Sequence, residues 1–230
     1  VQRAFLPQGT PELAGYSFYS YYRPAHHVGG DYYDYVTLPD GRTAVIVADV
    51  VGHGVAAAMM MAKVSAEAKF CLASETQPSD AITKLNNRLS MMHIDRFVTL
   101  IMVVLDPAEH EVTIVNAGHM APIWRRGDSD LQEPGGDLSG LPVGIVGGMA
   151  YHQSTIDLGS GEMLVMYTDG INEAMNAGGK QYTIDRIRKH VASNDRDPAV
   201  IGGRIIDDVM SHMNGAPQAD DMCLVILSRE

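Results

Sequence analysis

Four stretches of the chain set an acid beside an apolar run, three of them with glycine close by. They are VGGDYYDY (28–35), VADVVGHG (47–54), MYTDGINEA (166–174) and QADDMCLVIL (218–227). Their acids are Asp31, Asp49, Asp169 and one of Asp220 and Asp221. An Asp before glycine is ordinarily a turn residue, and Asp106 in LDPAEH is read as one. Four such acids at strand edges ask for more. Carboxylates brought together repel and take up protons unless a cation compensates them. Hard divalent cations such as Mg2+ or Mn2+ accept oxygen ligands of this kind. Glycine beside an acid lets backbone carbonyls and water approach the ion.

The elements that must position these acids read as strands first. YSFYSYYR (16–23) alternates aromatic with small polar residues, and DYYDYVTL (31–38) follows the same pattern. PDG (39–41) is a turn, and RTAVIVADV (42–50) reads as a buried strand. The next run spaces Val55, Met59, Ala62, Ala66 and Phe70 along one helical face. A second helix is predicted over 79–92, with Ser79 as N-cap after Pro78. RFVTLIMVVLD and EVTIVNAG flank the turn PAEH, and APIWRR is a further strand. Residues 127–150, rich in Gly and Pro, read as loop. YHQSTIDL and EMLVMYTDG are strands around GSG, residues 180–213 read as two helices parted near SNDRDP, and DMCLVILSRE closes the chain as a strand. Hairpin links outnumber regular β-α-β alternation, which predicts antiparallel sheets with clustered helices, an α+β fold. Residues 1–14 read as extended, because Pro7 and Pro11 oppose helix.

Composition narrows the function. The 230 residues are 46% hydrophobic, enough for a sizeable core, and carry a net charge of −11. That charge disfavours nucleic acid as a partner, including the reading of the acids as a metal-dependent nuclease. No apolar run approaches the roughly 18 residues of a membrane helix. Cys71 and Cys223 each sit in apolar runs, without the spacing of a zinc site, and suit a reducing cytoplasm. A G-x-S-x-G elbow and a Walker lysine are missing from the sequence, and the one Cys-x5-Arg spacing, Cys223 to Arg229, falls in an apolar strand run rather than a loop, so no protein nucleophile or P-loop is indicated.

Seven motifs in order carry a resemblance: VGGDYYDY, ADVVGHGVAAAMMMA, FVTLIMVVLD, NAGHMAP, GLPVGI, YTDGINEA and ADDMCLVIL. Together, over residues 12–229, the chain resembles the SpoIIE/RsbU-type branch of the PP2C (PPM) metal-dependent protein serine/threonine phosphatases of bacteria. The resemblance implies an α-β-β-α sandwich of two mainly antiparallel sheets flanked by helices. It also implies two Mn2+ or Mg2+ ions at one end. Asp49 matches the acid bridging both ions. Val50 matches the backbone carbonyl of the second site, and Asp31 matches that site's acid. Asp169 and Asp220 match the first site, leaving Asp221 as a supporting or turn residue. The implied reaction is attack on phosphorus by a metal-activated water, with phosphoserine or phosphothreonine on a regulatory protein, such as an anti-sigma-factor antagonist, as substrate.

Three further residues belong to the expected site. His53 is read either as a general acid for the leaving oxygen or as loop structure. His119 of NAGH is read as a hydrogen-bonded turn residue near the site. Arg23 is read as a phosphate ligand or as a sheet-end residue. Residues 1–11 are expected to be a lead-in from an upstream linker, with 12–230 as the phosphatase domain. An upstream sensory or receiver domain and a homodimer are expected partners. The competing reading keeps the fold as a regulatory binding module with little turnover, gated by that upstream domain.

Overall fold

The computed structural model describes residues 2–92, 95–127 and 130–230. After a short 3-10 turn (Gln2–Phe5), the chain forms β1 (Tyr16–Arg23), β2 (Tyr32–Thr37), β3 (Thr43–Val50), α1 (Gly54–Ser74) and α2 (Pro78–Ser90). Then come β4 (Val98–Asp106), β5 (Glu111–Ala117), β6 (Ile123–Arg126), β7 (Asp130–Gln132), β8 (Gln153–Asp157) and β9 (Met163–Tyr167). The last elements are α3 (Asp169–Asn172), α4 (Ile184–Val191), α5 (Pro198–Met213) and β10 (Met222–Arg229). One sheet runs β1-β10-β9-β6-β7 and the other β2-β3-β4-β5-β8, with every ladder antiparallel.

The two-residue period of a strand explains the layers. On β10, Cys223, Val225 and Leu227 pack into the core shared with β3 and β4. The alternate residues Met222, Leu224 and Ile226 pack against Ile187, Ile201, Ile205 and Val209 of α4 and α5. β9 divides in the same way, with Leu164 and Met166 inward and Met163, Val165 and Tyr167 toward the helices. Both faces of these strands are therefore apolar, which is why their sequences read as unbroken hydrophobic runs. α1 and α2 cover the other sheet, giving the expected α-β-β-α sandwich.

Four details differ from the sequence reading. Pro78 is the first residue of α2 and Gln77 its N-cap, because proline's fixed φ and missing N–H suit that first position. The face of α1 that carries Val55, Met59, Ala66 and Phe70 is exposed, and Ala57, Met60, Met61, Val64, Ala68, Cys71 and Leu72 face the core. An Ala/Met-rich helix is apolar nearly all round, so spacing alone does not reveal which side is buried. The phase is marked instead by Glu67, buried between Lys63 and Arg88 of α2. The presumed loop 127–150 contains β7, a three-residue edge strand on β6. The lead-in includes the 3-10 turn, and there Gln2 Oε1 accepts a 3.1 Å hydrogen bond from Gly29 N–H.

Candidate metal centre

The antiparallel ladders bring the acids to one end of the sandwich. β2 starts where β3 finishes, since Tyr32 pairs with Ala48, so Asp31 and Asp49 sit together. β10 starts where β9 finishes, since Leu224 pairs with Tyr167, so Asp220, Asp221 and Asp169 sit together at the end of the other sheet.

Hydrogen bonds join these two halves. Thr168 donates its hydroxyl proton to Asp31 Oδ2 at 2.6 Å and accepts the Cys223 N–H at 3.0 Å. Asp221 accepts three backbone N–H groups, from Ala25 (2.8 Å), Gly30 (2.6 Å) and Asp31 (3.3 Å). Its Oδ2 thereby holds Gly30 and Asp31, and its Oδ1 holds Ala25. Asp220 differs: it is exposed, and its Oδ1 accepts the Asp221 N–H at 2.8 Å.

The glycines are required by this packing. A Cβ on Gly29 would strike the Asp221 carboxylate and the Tyr22 hydroxyl, and one on Gly170 would strike the Asp221 carbonyl. A Cβ on Gly30 would stand 3.0 Å from the Val50 carbonyl oxygen, so glycine leaves room beside that oxygen. Gly52 and Gly54 turn the chain from β3 into α1 at φ of +92° and +76°. Arg96 closes the turn by donating to the Val51 carbonyl at 2.6 Å.

Burial and mutual repulsion push the acids toward their protonated forms. Asp31 is held well above the usual carboxylate range, chiefly by burial and then by the Asp49 charge, with the Thr168 bond opposing. Asp49 is raised to about 7 by burial and then by Asp169, Asp220 and Asp221, while a hydrogen bond from Asp31 opposes the shift. Asp169 is raised by burial, then by Asp220, and Asp220 chiefly by partial burial. Among the described residues, no three His, Cys, Asp or Glu side chains converge closely enough to form a finished cation site. The donor set nevertheless fits a hard divalent ion. It consists of carboxyl oxygens and a backbone carbonyl, and the repulsion among the carboxylates is what a cation would relieve.

The remaining expected residues fall into two groups. His53 is an exposed N-cap of α1 whose side chain does not cap the helix. It stands edge-on to His26, with ring centroids 5.8 Å apart, and a positive charge on either ring would ease ionisation of Asp220. His26 escaped the sequence reading because only the fold brings it beside His53. His119 is buried, its ring between Thr99 and the Tyr167 carbonyl. Arg23 ends β1 opposite Met222, one residue from Asp221, and its Nη1 lies 3.3 Å from Met210 Sδ on α5.

Comparison with known proteins matches this architecture to PP2C phosphatase structures. The SiaA-PP2C domain of Pseudomonas aeruginosa superposes with a TM-score of 0.85 at 20% identity, covering 100% of this chain and 93% of that one. RsbX in complex with magnesium gives a TM-score of 0.69 at 17% identity, covering 96% and 98%. Residues 39–230 match the family described as Stage II sporulation protein E (SpoIIE), and the chain belongs to that family. Protein IcfG of Synechocystis sp. is 25% identical over 100% of this chain and 40% of its own length. Phosphoserine phosphatase RsbP of Bacillus subtilis is 24% identical over 90% of this chain and 51% of its own length. Phosphoserine phosphatase RsbU of Bacillus subtilis is 25% identical over 100% of this chain and 68% of its own length. The chain thus spans about half or less of the first two relatives. Among the described residues, no helix is long and apolar enough to cross a membrane.

Proposed function

We propose that the chain is a metal-dependent phosphatase that hydrolyses phosphoserine or phosphothreonine on a bacterial regulatory protein. The observation that carries this reading is the placement of four carboxyls at one end of two sheets, where Asp49 is raised by burial and then by Asp169 and Asp220 of the other sheet, and Asp31 by burial and then by Asp49. The names of RsbP and RsbU, phosphoserine phosphatases, support the substrate class, and the magnesium in RsbX supports the metal. An anti-sigma-factor antagonist is the kind of substrate this reading favours.

In this reading Asp49, Asp169 and Asp220, with Asp31 and the Val50 carbonyl, would hold two Mn2+ or Mg2+ ions. Ions held there supply an activated water for in-line attack on phosphorus and offset charge on the phosphoryl oxygens. The chain's own groups do the rest. Asp221 fixes the chain ahead of β2 through its three N–H partners, Ala25, Gly30 and Asp31. Thr168 fixes the Asp31 carboxyl. His53, at the open mouth beside His26, gives a proton to the leaving serine or threonine oxygen. Residues 12–230 are the phosphatase domain. A sensory or receiver domain gates it in a longer cytoplasmic protein, and the working form is a homodimer.

The test is direct. With Mn2+ and a phosphoserine peptide, the protein releases phosphate, and chelator or Asp49→Asn stops the release. Turnover that ignores both treatments would sink the proposal.

A further inference from the structure

His119 sits between the two halves of the site. Its Nε2 donates to the Tyr167 carbonyl at 3.1 Å, and its Nδ1 accepts the Thr99 hydroxyl at 2.8 Å. A carbonyl only accepts, so the neutral ring with hydrogen on Nε2 satisfies both partners. The ring is buried and held by its own turn. Asn116 Nδ2 donates to the His119 carbonyl at 3.0 Å, and the His119 N–H donates to Asn116 Oδ1 at 2.9 Å.

The partners of this ring are placed with equal economy. Thr99 on β4 lies directly opposite Asp49 on β3. Tyr167 is the last residue of β9, two positions before Asp169. One imidazole thus ties the strand pair presenting Asp49 to the strand presenting Asp169. These acids belong to different sheets, and sheets packed face to face are about 10 Å apart with no backbone hydrogen bonds between them. Side-chain ties must therefore set their spacing.

We propose that His119 is a positioning residue that fixes the separation of Asp49 and Asp169, and through it the affinity of the site for divalent cations. The proposal rests on the metal-site reading above. Partners standing behind metal ligands affect affinity by about 10–100-fold when removed.

The test uses Mn2+ titration calorimetry on the whole chain, with melting temperature in chelator measured in parallel. His119→Asn offers an oxygen to Thr99 but does not reach Tyr167. His119→Gln offers an N–H to Tyr167 but crowds Thr99. Thr99→Val removes one bond with little change of shape, and Thr99→Ser keeps the hydroxyl. The expected result is that both His119 variants and Thr99→Val weaken Mn2+ binding by roughly 10-fold or more. Thr99→Ser binds near the wild-type affinity, and phosphatase activity of the weakened variants recovers as Mn2+ is raised. Lower melting temperatures with unchanged Mn2+ affinity would show a structural role alone and overturn the proposal. Should His119→Asn and His119→Gln not fold, Thr99→Val against Thr99→Ser decides it: equal affinities overturn it. A wild-type chain that binds no Mn2+ defeats the metal-site reading itself, whereas a binding wild type with indifferent variants defeats only the role of His119.

Discussion

Asp49 is asked to be charged for one task and is penalised for it in another. In the folded chain its carboxyl holds a proton up to about 7, because of burial and then Asp169, Asp220 and Asp221, against an ordinary 3.8. Between those values the folded state binds more protons than the unfolded state, so this group's contribution to stability falls as pH rises through the window. Asparagine carries no such penalty. Asp49→Asn is therefore expected to raise the melting temperature in chelator at pH 8 by a few degrees. The gain should shrink toward zero as pH falls to 4, while Mn2+-dependent turnover drops by more than ~100-fold. A gain independent of pH would refute the electrostatic account. His53 is tested through the leaving group. An alkoxide needs a proton and a nitrophenolate does not, so His53→Ala should lower phosphoserine-peptide turnover by about 100-fold and leave p-nitrophenyl phosphate turnover nearly unchanged. Equal loss on both substrates would remove it as the acid. At this scale the acids were legible because each stands at the end of an apolar strand, with glycine near Asp31, Asp49 and Asp169. The pairing of His26 with His53 and the reach of His119 to Tyr167 were not, since both join residues 27 or more positions apart that local pattern does not link.

At the scale of elements, the long apolar strands declared themselves, and so did the hairpin around Asp106, whose Oδ1 accepts from Ala108 and Glu109 at 3.0 and 3.2 Å. β7 did not, being three residues of edge strand with no alternation long enough to detect. The buried side of α1 was hidden by its uniform Ala/Met composition, and it depends on where Arg88 of α2 meets Glu67. Helix packing on the other sheet is tighter than composition suggests. Gly202 of α5 lies against the Tyr19 ring of β1, where an added Cβ would collide, while its neighbour Gly203 faces open space. Gly202→Ala should cost roughly 1–3 kcal/mol of stability. Gly203→Ala should add up to about 1 kcal/mol through helix propensity. Urea denaturation of the two variants checks the opposite signs, and a shared sign would show that α5 does not sit as described.

At the scale of the whole molecule, a net charge of −11 surrounds a site proposed to accept an anionic phosphoester. Approach of an acidic phosphopeptide is opposed at long range, and a basic flank relieves that. As ionic strength rises from ~0.01 to ~0.15 M, the screening length contracts from about 30 to about 8 Å. Initial rates at fixed Mn2+ should then show kcat/KM rising for acidic peptides and falling for basic ones. Parallel responses would mean that the field at the mouth is not that of the molecule as a whole. The sandwich itself was foreseeable from hairpin links and clustered helices. The seam between its sheets was not, because it is held by Thr168, Asp221 and His119, whose partners no strand pattern names.

β9 and β10 lie inside their sheet, apolar on both faces and paired on both sides. Amide hydrogens in such strands exchange with solvent only when the whole molecule opens. The backbone of Leu164, Val165, Val225 and Ile226 should therefore be the slowest to take up deuterium. Edge strands β1 and β7 and the turn at Gly52–Gly54 should exchange earlier. Asp169 and Asp220 hang from the ends of these slow strands, so partial unfolding at the periphery leaves their spacing intact.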